Sequence, residues 1–135
     1  MIQRKQTLFI LGSLVCTFFL LFLINLVDSE KCNIVLNSSS ESQLNIFFFG
    51  SFILGFISIF LFKNRLFQYR LSLINMYFQL CPLVYICSYI NLNSCVPEYS
   101  EVLGLYFIYA SLAFYGLAAI YIKKDNDLIK NSDRI

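Results

Sequence analysis

The sequence predicts an all-α membrane protein, an antiparallel bundle of four transmembrane helices with both termini in the cytoplasm. Hydrophobic residues make up 59% of the 135-residue chain and charged residues only 13%, which is outside the usual range of soluble domains. All but one of the ten Lys and Arg residues lie at every second border of four apolar segments, and such an excess marks cytoplasmic loops. These residues are Arg4, Lys5, Lys63, Arg65, Arg70, Lys123, Lys124, Lys130 and Arg134.

The first two predicted spans cover residues 7–27 and 44–62. Each has the length of about 20 residues that crosses a hydrocarbon core of about 30 Å. The first segment exceeds the apolar part of a cleaved signal peptide and lacks a small-residue cleavage site, so we expect it to remain in the chain. The outer loop between them, residues 28–43, is polar, and we expect a flexible loop rather than a folded domain.

The third predicted span, residues 71–90, differs because its polar residues recur every three or four positions and therefore share one helical face. This intramembrane polar face consists of Ser72, Asn75 and Gln79. Amide side chains in membranes more often bond neighbouring helices than bind substrates, so packing is the favoured interpretation and a ligand path is the alternative. A short cytoplasmic loop, residues 63–70, makes the second and third spans a hairpin.

The fourth predicted span, residues 102–122, follows an outer loop at residues 91–101 and precedes a cytoplasmic tail at residues 123–135. Short connections make successive helices neighbours, so the whole chain is predicted to be a single four-helix domain. Small residues on two of the spans predict close helix approach. They are Ser51, Gly55 and Ser58 on the second span and Gly104, Ser111 and Ala118 on the fourth.

Residues that perform chemistry are scarce. The chain has no His, which excludes a Ser/His dyad and a His-ligated metal, and the cysteines lack zinc-site spacing. None of the four predicted spans contains Asp, Glu, Lys or Arg, whereas ion-coupled transporters usually hold such residues at bilayer depth. We therefore expect no enzymatic activity, no cofactor, no bound metal and no nucleic-acid partner.

The cysteines of the two outer loops support a further hypothesis. Cys32 and Cys95 are both predicted to lie on the outer side of the membrane, the compartment in which disulfides persist. A disulfide between them would tie the two outer loops together. Two unrelated thiols are the alternative, and full thiol labelling of both residues under non-reducing conditions would exclude the bond.

The three basic clusters also carry short motifs. The chain opens with Met1-Ile2-Gln3-Arg4, its predicted hairpin reads Phe62-Lys63-Asn64-Arg65, and its tail reads Lys123-Lys124-Asp125. In order and spacing these motifs resemble a family of small four-helix inner-membrane proteins of the Bacteroidota, catalogued as domain of unknown function 4293. The resemblance implies a multi-pass protein of the bacterial inner (plasma) membrane. It carries over no catalytic or binding residue.

The motif residues are predicted to gather at the cytoplasmic face, where they would form a polar network or a docking surface. Lipid head-group contact and salt bridges at helix ends are the alternative. The predicted network comprises Gln3, Arg4, Lys63, Asn64, Arg65, Gln68, Arg70, Asp125, Asp133 and Arg134.

For function, the sequence favours a non-enzymatic accessory or scaffold subunit of a membrane assembly. Its expected partners are the lipid bilayer and either another membrane protein or further copies of the same chain. The alternative is a small oligomeric pore or transporter for an uncharged solute or a lipid, built around the third helix.

Overall fold

A computed structural model describes residues 3–29, 34–36, 42–61, 64–92, 98 and 102–132 of the chain. Within this part the protein is all-α apart from one two-stranded hairpin, so the predicted helical class is confirmed. The elements are α1 (Gln3–Phe22), β1 (Val27–Ser29), β2 (Ile34–Leu36), α2 (Ser42–Phe60), α3 (Arg65–Leu92) and α4 (Leu103–Ser132).

Three of these helices, α2, α3 and α4, are long and apolar enough to cross a membrane. The apolar part of α1, Gln6–Phe22, is somewhat shorter. Each helix packs against two others, in the order α1, α2, α3, α4 and back to α1. The result is a four-helix bundle in which every helix has one face toward its neighbours and one face outward.

The faces turned inward follow a regular spacing. Most buried positions on the four helices alternate at intervals of four and three residues, which is the repeat of about 3.5 residues found in left-handed helix bundles. Many of these positions are polar or small, whereas most large side chains on the outward faces are apolar. The bundle therefore reverses the arrangement of a soluble protein, as a lipid solvent requires. The inward positions are Gln6, Ile10, Ser13, Thr17 and Leu20 on α1; Leu44, Phe48, Ser51, Gly55 and Ser58 on α2; Gln68, Ser72, Asn75, Gln79, Pro82 and Ile86 on α3; and Gly104, Ile108, Ser111, Tyr115, Ala118, Ile122 and Asp125 on α4.

One end of the bundle has an apolar core, and we call it the Gly104 end. Here α1 stops at Phe22, inside the predicted span of residues 7–27. The chain then turns, and the backbone N–H of Leu26 donates to the carbonyl of Leu36 at 2.8 Å. The apolar residues Leu26 and Val27 are fully buried. They cover the bundle as part of the hairpin instead of extending the helix into lipid.

The hairpin occupies part of the segment 28–43 that was expected to be a flexible loop. Its strands pair antiparallel, with Val27 opposite Leu36 and Ser29 opposite Ile34. Leu36 joins the apolar core beside Leu44 and Phe48. The segment predicted as the first outer loop is therefore partly folded onto the bundle.

At the opposite end, which we call the Asp125 end, three helices extend beyond the predicted spans. α1 begins at Gln3, ahead of the predicted span 7–27. α3 begins at Arg65, within the segment 63–70 predicted as a loop. Asn64 precedes it at the N-cap position, which favours Asn, and its carbonyl accepts from the Gln68 N–H at 3.0 Å. α4 continues to Ser132, through most of the predicted tail 123–135.

Candidate functional site

The interior of the bundle carries a column of buried polar side chains, which we call the polar interior. It extends from the Asp125 end to about the middle of the bundle, where the apolar core of the Gly104 end begins. Because lipid offers no hydrogen bonds, each of these groups needs a partner inside the protein. Its members are Gln6, Ser13, Thr17, Ser51, Ser58, Gln68, Ser72, Asn75, Gln79, Ser111, Tyr115 and Asp125.

The predicted intramembrane polar face of α3 lies against α2. In the amide orientation that satisfies its surroundings, Asn75 donates to the Ser51 carbonyl and accepts from the Gly55 N–H, both at 3.2 Å. The Gln79 amide donates from Nε2 to the Ser51 hydroxyl at 3.1 Å. Both amides are fully buried inside the bundle that a single chain forms. Their contacts are those of helix packing, and the third member of the face, Ser72, donates to its own helix at the Gln68 carbonyl at 3.0 Å.

All four helices meet at Gly55. A Cβ added there would lie 2.6 Å from the Tyr115 hydroxyl oxygen of α4 and 2.9 Å from Leu14 Cδ2 of α1. Asn75 of α3 bonds the Gly55 N–H from a third direction. The absence of a side chain at this position lets the tyrosine and the amide reach the α2 backbone together. The prediction of close helix approach at this small residue is thereby confirmed.

A second polar contact joins α1 to α4 at the Asp125 end. Gln6 donates from Nε2 to the Asp125 carboxylate and also to the Tyr121 carbonyl, the latter at 3.3 Å. Both side chains are buried, with Asp125 only 6% exposed. Since Gln6 lies near the start of α1 and Asp125 near the end of α4, this contact fixes the alignment of the two helices along each other.

Removing the Gln6 amide should show how much this contact contributes to the stability of the bundle. Gln6→Leu would leave a buried carboxylate without its donor, and we expect a loss of about 1–3 kcal/mol in the free energy of unfolding. Exposed Gln43→Leu on α2 is the matched control and should change stability by less than about 0.5 kcal/mol. SDS-induced unfolding followed by circular dichroism measures both. Equal effects of the two substitutions would contradict a structural role for Gln6.

The predicted cytoplasmic network is only partly described, because the side chains of Gln3, Arg4, Lys63, Asp133 and Arg134 lie outside the described residues. The remaining members do not form one cluster. Gln68 is buried and donates from Nε2 to the Ser58 carbonyl at 3.2 Å, so it joins α3 to α2. Asp125 joins α4 to α1. Gln68 and Asp125 therefore hold helices together, whereas Asn64 and Arg70 are exposed and Arg65 is half-buried.

The exposed end of α4 is the other notable surface. A shallow groove there is lined by Ile120, Lys123, Lys124, Asp127 and Leu128. Leu128 is 52% exposed and the adjacent Ile129 is 43% exposed. Apolar side chains therefore follow the two lysines that mark the end of the predicted span.

Four side chains of the polar interior were not assigned to any site from the sequence: Gln6, Ser13, Thr17 and Tyr115. The spacing of the chain contains a signal for all four. Tyr115 falls between Ser111 and Ala118 at intervals of four and three residues, and Gln6, Ser13 and Thr17 follow the same alternation on α1. Extending the small-residue pattern to every residue at this repeat identifies these positions.

Other predicted sites lie partly or wholly beyond the described residues. Cys32 and Cys95 are outside them, and the cysteines that are described, Cys16, Cys81 and Cys87, are free thiols. Within the described part of the chain, no group of three His, Cys, Asp or Glu side chains is arranged to hold a metal ion.

Comparison with known proteins covers nearly the whole chain. Residues 2–135 match the family model described as Domain of unknown function (DUF4293). No curated protein matches the chain, and no solved structure does. The family membership predicted from the three basic motifs is confirmed, and the chain belongs to the DUF4293 family.

Proposed function

We propose that the protein is a non-enzymatic accessory or scaffold subunit of an inner-membrane assembly and that the Asp125 end is its docking face. In this proposal all four helices cross the membrane as an antiparallel bundle with both termini in the cytoplasm. The pairing of Gln6 near the start of α1 with Asp125 near the end of α4 supports the orientation. So does the excess of Lys and Arg at this end, since cytoplasmic borders attract it.

The orientation has a direct test. A fluorescent protein fused to the C-terminus should fold and fluoresce, whereas alkaline phosphatase fused at the same position should be inactive, because each reporter works on one side of the inner membrane. Fusions after Leu36, in the first outer loop, should give the opposite pair of results. An active phosphatase at the C-terminus would contradict the orientation.

The exposed end of α4 is the observation that carries the docking proposal. From Leu103 to Ile122 the helix already spans about 30 Å, the thickness of the hydrocarbon core. Leu128 and Ile129 lie about another 9 Å along the helix axis, beyond most of the head-group region. Both are exposed, and lipid tails do not reach them there. A protein partner with an apolar contact surface and acidic groups facing Lys123 and Lys124 fits this end.

Photo-cross-linking tests the docking face. A benzophenone amino acid replacing Leu128 should form a discrete adduct with a protein in native membranes. The same substitution at Leu11, which is also 52% exposed but lies within the first predicted span, should form only lipid adducts. Mass spectrometry of the adducts identifies the partner or a second copy of the chain. Lipid adducts alone at both positions would overturn the proposal.

The alternative is an oligomeric pore or transporter for an uncharged solute or lipid, lined by the polar face of α3. Uncharged polar side chains at bilayer depth favour it. In the bundle, however, Asn75 and Gln79 are fully buried against α2. A pore lined by them would require α3 to rotate away from α2 and give up these hydrogen bonds.

A further inference from the structure

Four side-chain atoms of the polar interior are fully buried without a hydrogen-bond partner in the described part of the protein. They are Gln79 Oε1 and the hydroxyls of Tyr115, Ser58 and Ser111. An unpaired polar group in an apolar environment costs about 1–3 kcal/mol by mutational measures. Leaving several such groups unpaired in one bundle would cost a large fraction of its free energy of unfolding.

The two serines can satisfy themselves. A helical serine can turn its hydroxyl to a carbonyl three or four residues earlier, as Ser13 does to Ile10 at 2.7 Å and Ser72 does to Gln68 at 3.0 Å. The amide oxygen of Gln79 accepts only, and the Tyr115 ring is too rigid to bend its hydroxyl to its own helix backbone. These two groups therefore need a partner from elsewhere.

Both groups converge on Ser51. The Gln79 amide already bonds the Ser51 hydroxyl at 3.1 Å through Nε2, which holds its Oε1 nearby. The hydroxyls of Ser13 and Ser51 face the Tyr115 hydroxyl, but neither forms a hydrogen bond of normal geometry with it. The unpartnered acceptor and the unpartnered hydroxyl thus lie around the same serine, at the level where α2, α3 and α4 meet.

We propose that this place binds a structural water molecule that bridges Gln79 Oε1 and the Tyr115 hydroxyl. Water donates one proton to the amide oxygen and accepts the tyrosine proton, and its second proton can reach a serine oxygen. A buried water typically makes about three such bonds. The described groups facing the site are uncharged, so an ion has no counter-charge there.

Radiolytic hydroxyl labelling of the wild-type protein in lipid nanodiscs tests the proposal, since hydroxyl radicals form at bound water. We expect Tyr115 to be oxidised although it is fully buried, and Tyr77 to be much less oxidised although it is 67% exposed on the outward face of α3. The buried Tyr115 would then be oxidised more than the exposed Tyr77, which is the reverse of the order of their exposed fractions. An unlabelled Tyr115 overturns the proposal whatever Tyr77 shows.

A Gln79→Leu variant distinguishes a water that bridges Gln79 and Tyr115 from water bound elsewhere. Gln79→Leu removes the acceptor and should abolish labelling of Tyr115 while leaving that of Tyr106, near the Gly104 end of α4, unchanged. Persistent Tyr115 labelling in a folded Gln79→Leu protein overturns the bridge. If this variant does not fold, the wild-type comparison of Tyr115 with Tyr77 decides alone.

Discussion

Gly104→Ala is expected to destabilise the protein by about 1–3 kcal/mol, the usual cost of forcing atoms into a packed site. An added Cβ would lie 2.5 Å from Leu26 Cα and 2.8 Å from the Leu26 carbonyl oxygen. These are backbone atoms, which cannot turn aside as a side chain can. Leu26 is also held in place by its hydrogen bond to Leu36. The midpoint of SDS-induced unfolding, followed by circular dichroism, measures the loss.

Two other helical glycines provide matched controls. A Cβ at Gly12 would be 3.5 Å from the Phe114 ring, and one at Gly116 would be 3.9 Å from Met76 Cε. Both are ordinary contacts. Alanine at either position should leave stability unchanged or raise it by about 0.5–1 kcal/mol, because alanine favours helix over glycine. If Gly104→Ala behaved like these controls, the close approach of α4 to the segment after α1 would be wrong.

The double variant Asn75→Leu with Gln79→Leu is expected to cause the second large loss of stability. Each amide bonds α2 inside the bundle, and interhelical hydrogen bonds in membranes contribute about 0.5–2 kcal/mol each. The leucine side chain is also larger than the amide side chains that it replaces. We expect a clear loss of stability and weaker association of α2 with α3, measured by unfolding and by cross-linking between the two helices.

This variant also discriminates between the two functions. The oligomeric pore predicts lost solute flux in liposomes with the bundle intact, whereas packing predicts impaired folding. Asn45→Leu on α2 is the control, because Asn45 is exposed and its loss should change stability by less than about 0.5 kcal/mol. A double variant that folds as well as this control would contradict the packing role.

The sequence predicted the number of helices and the inward face of α3, because hydropathy and helical periodicity are local properties. It did not predict where α1 ends. Leu26 and Val27 are apolar in either conformation, and hydropathy cannot tell a helix in lipid from a strand covering a protein core. Similarly, Lys123 marks the end of an apolar segment but not of a helix, so α4 runs further than the predicted span.

The sequence also did not predict which distant residues pair with each other. Asp125 and Gln68 were placed together at one end of the molecule, yet each bonds a different helix. Gln6 and Asp125 meet only because α1 packs on α4, and no local pattern encodes that choice. The hairpin formed by β1 and β2 likewise depends on the apolar core that it covers.

The hydrogen bonds from α3 to α2 have a consequence for how the protein enters the membrane. Over an 18-residue window the mean hydropathy is 1.8 in α2 and 1.4 in α3. Each helix has one Asn and one Gln in its apolar part, but those of α2, Gln43 and Asn45, lie at its start, whereas Asn75 and Gln79 lie in the middle of α3. Because α2 leaves the ribosome first and only a few residues separate the two helices, its Ser51 and Gly55 are available when Asn75 arrives. We expect α3 to insert poorly when translated alone and efficiently when α2 precedes it, so synthesis order itself supplies the partner that this helix requires.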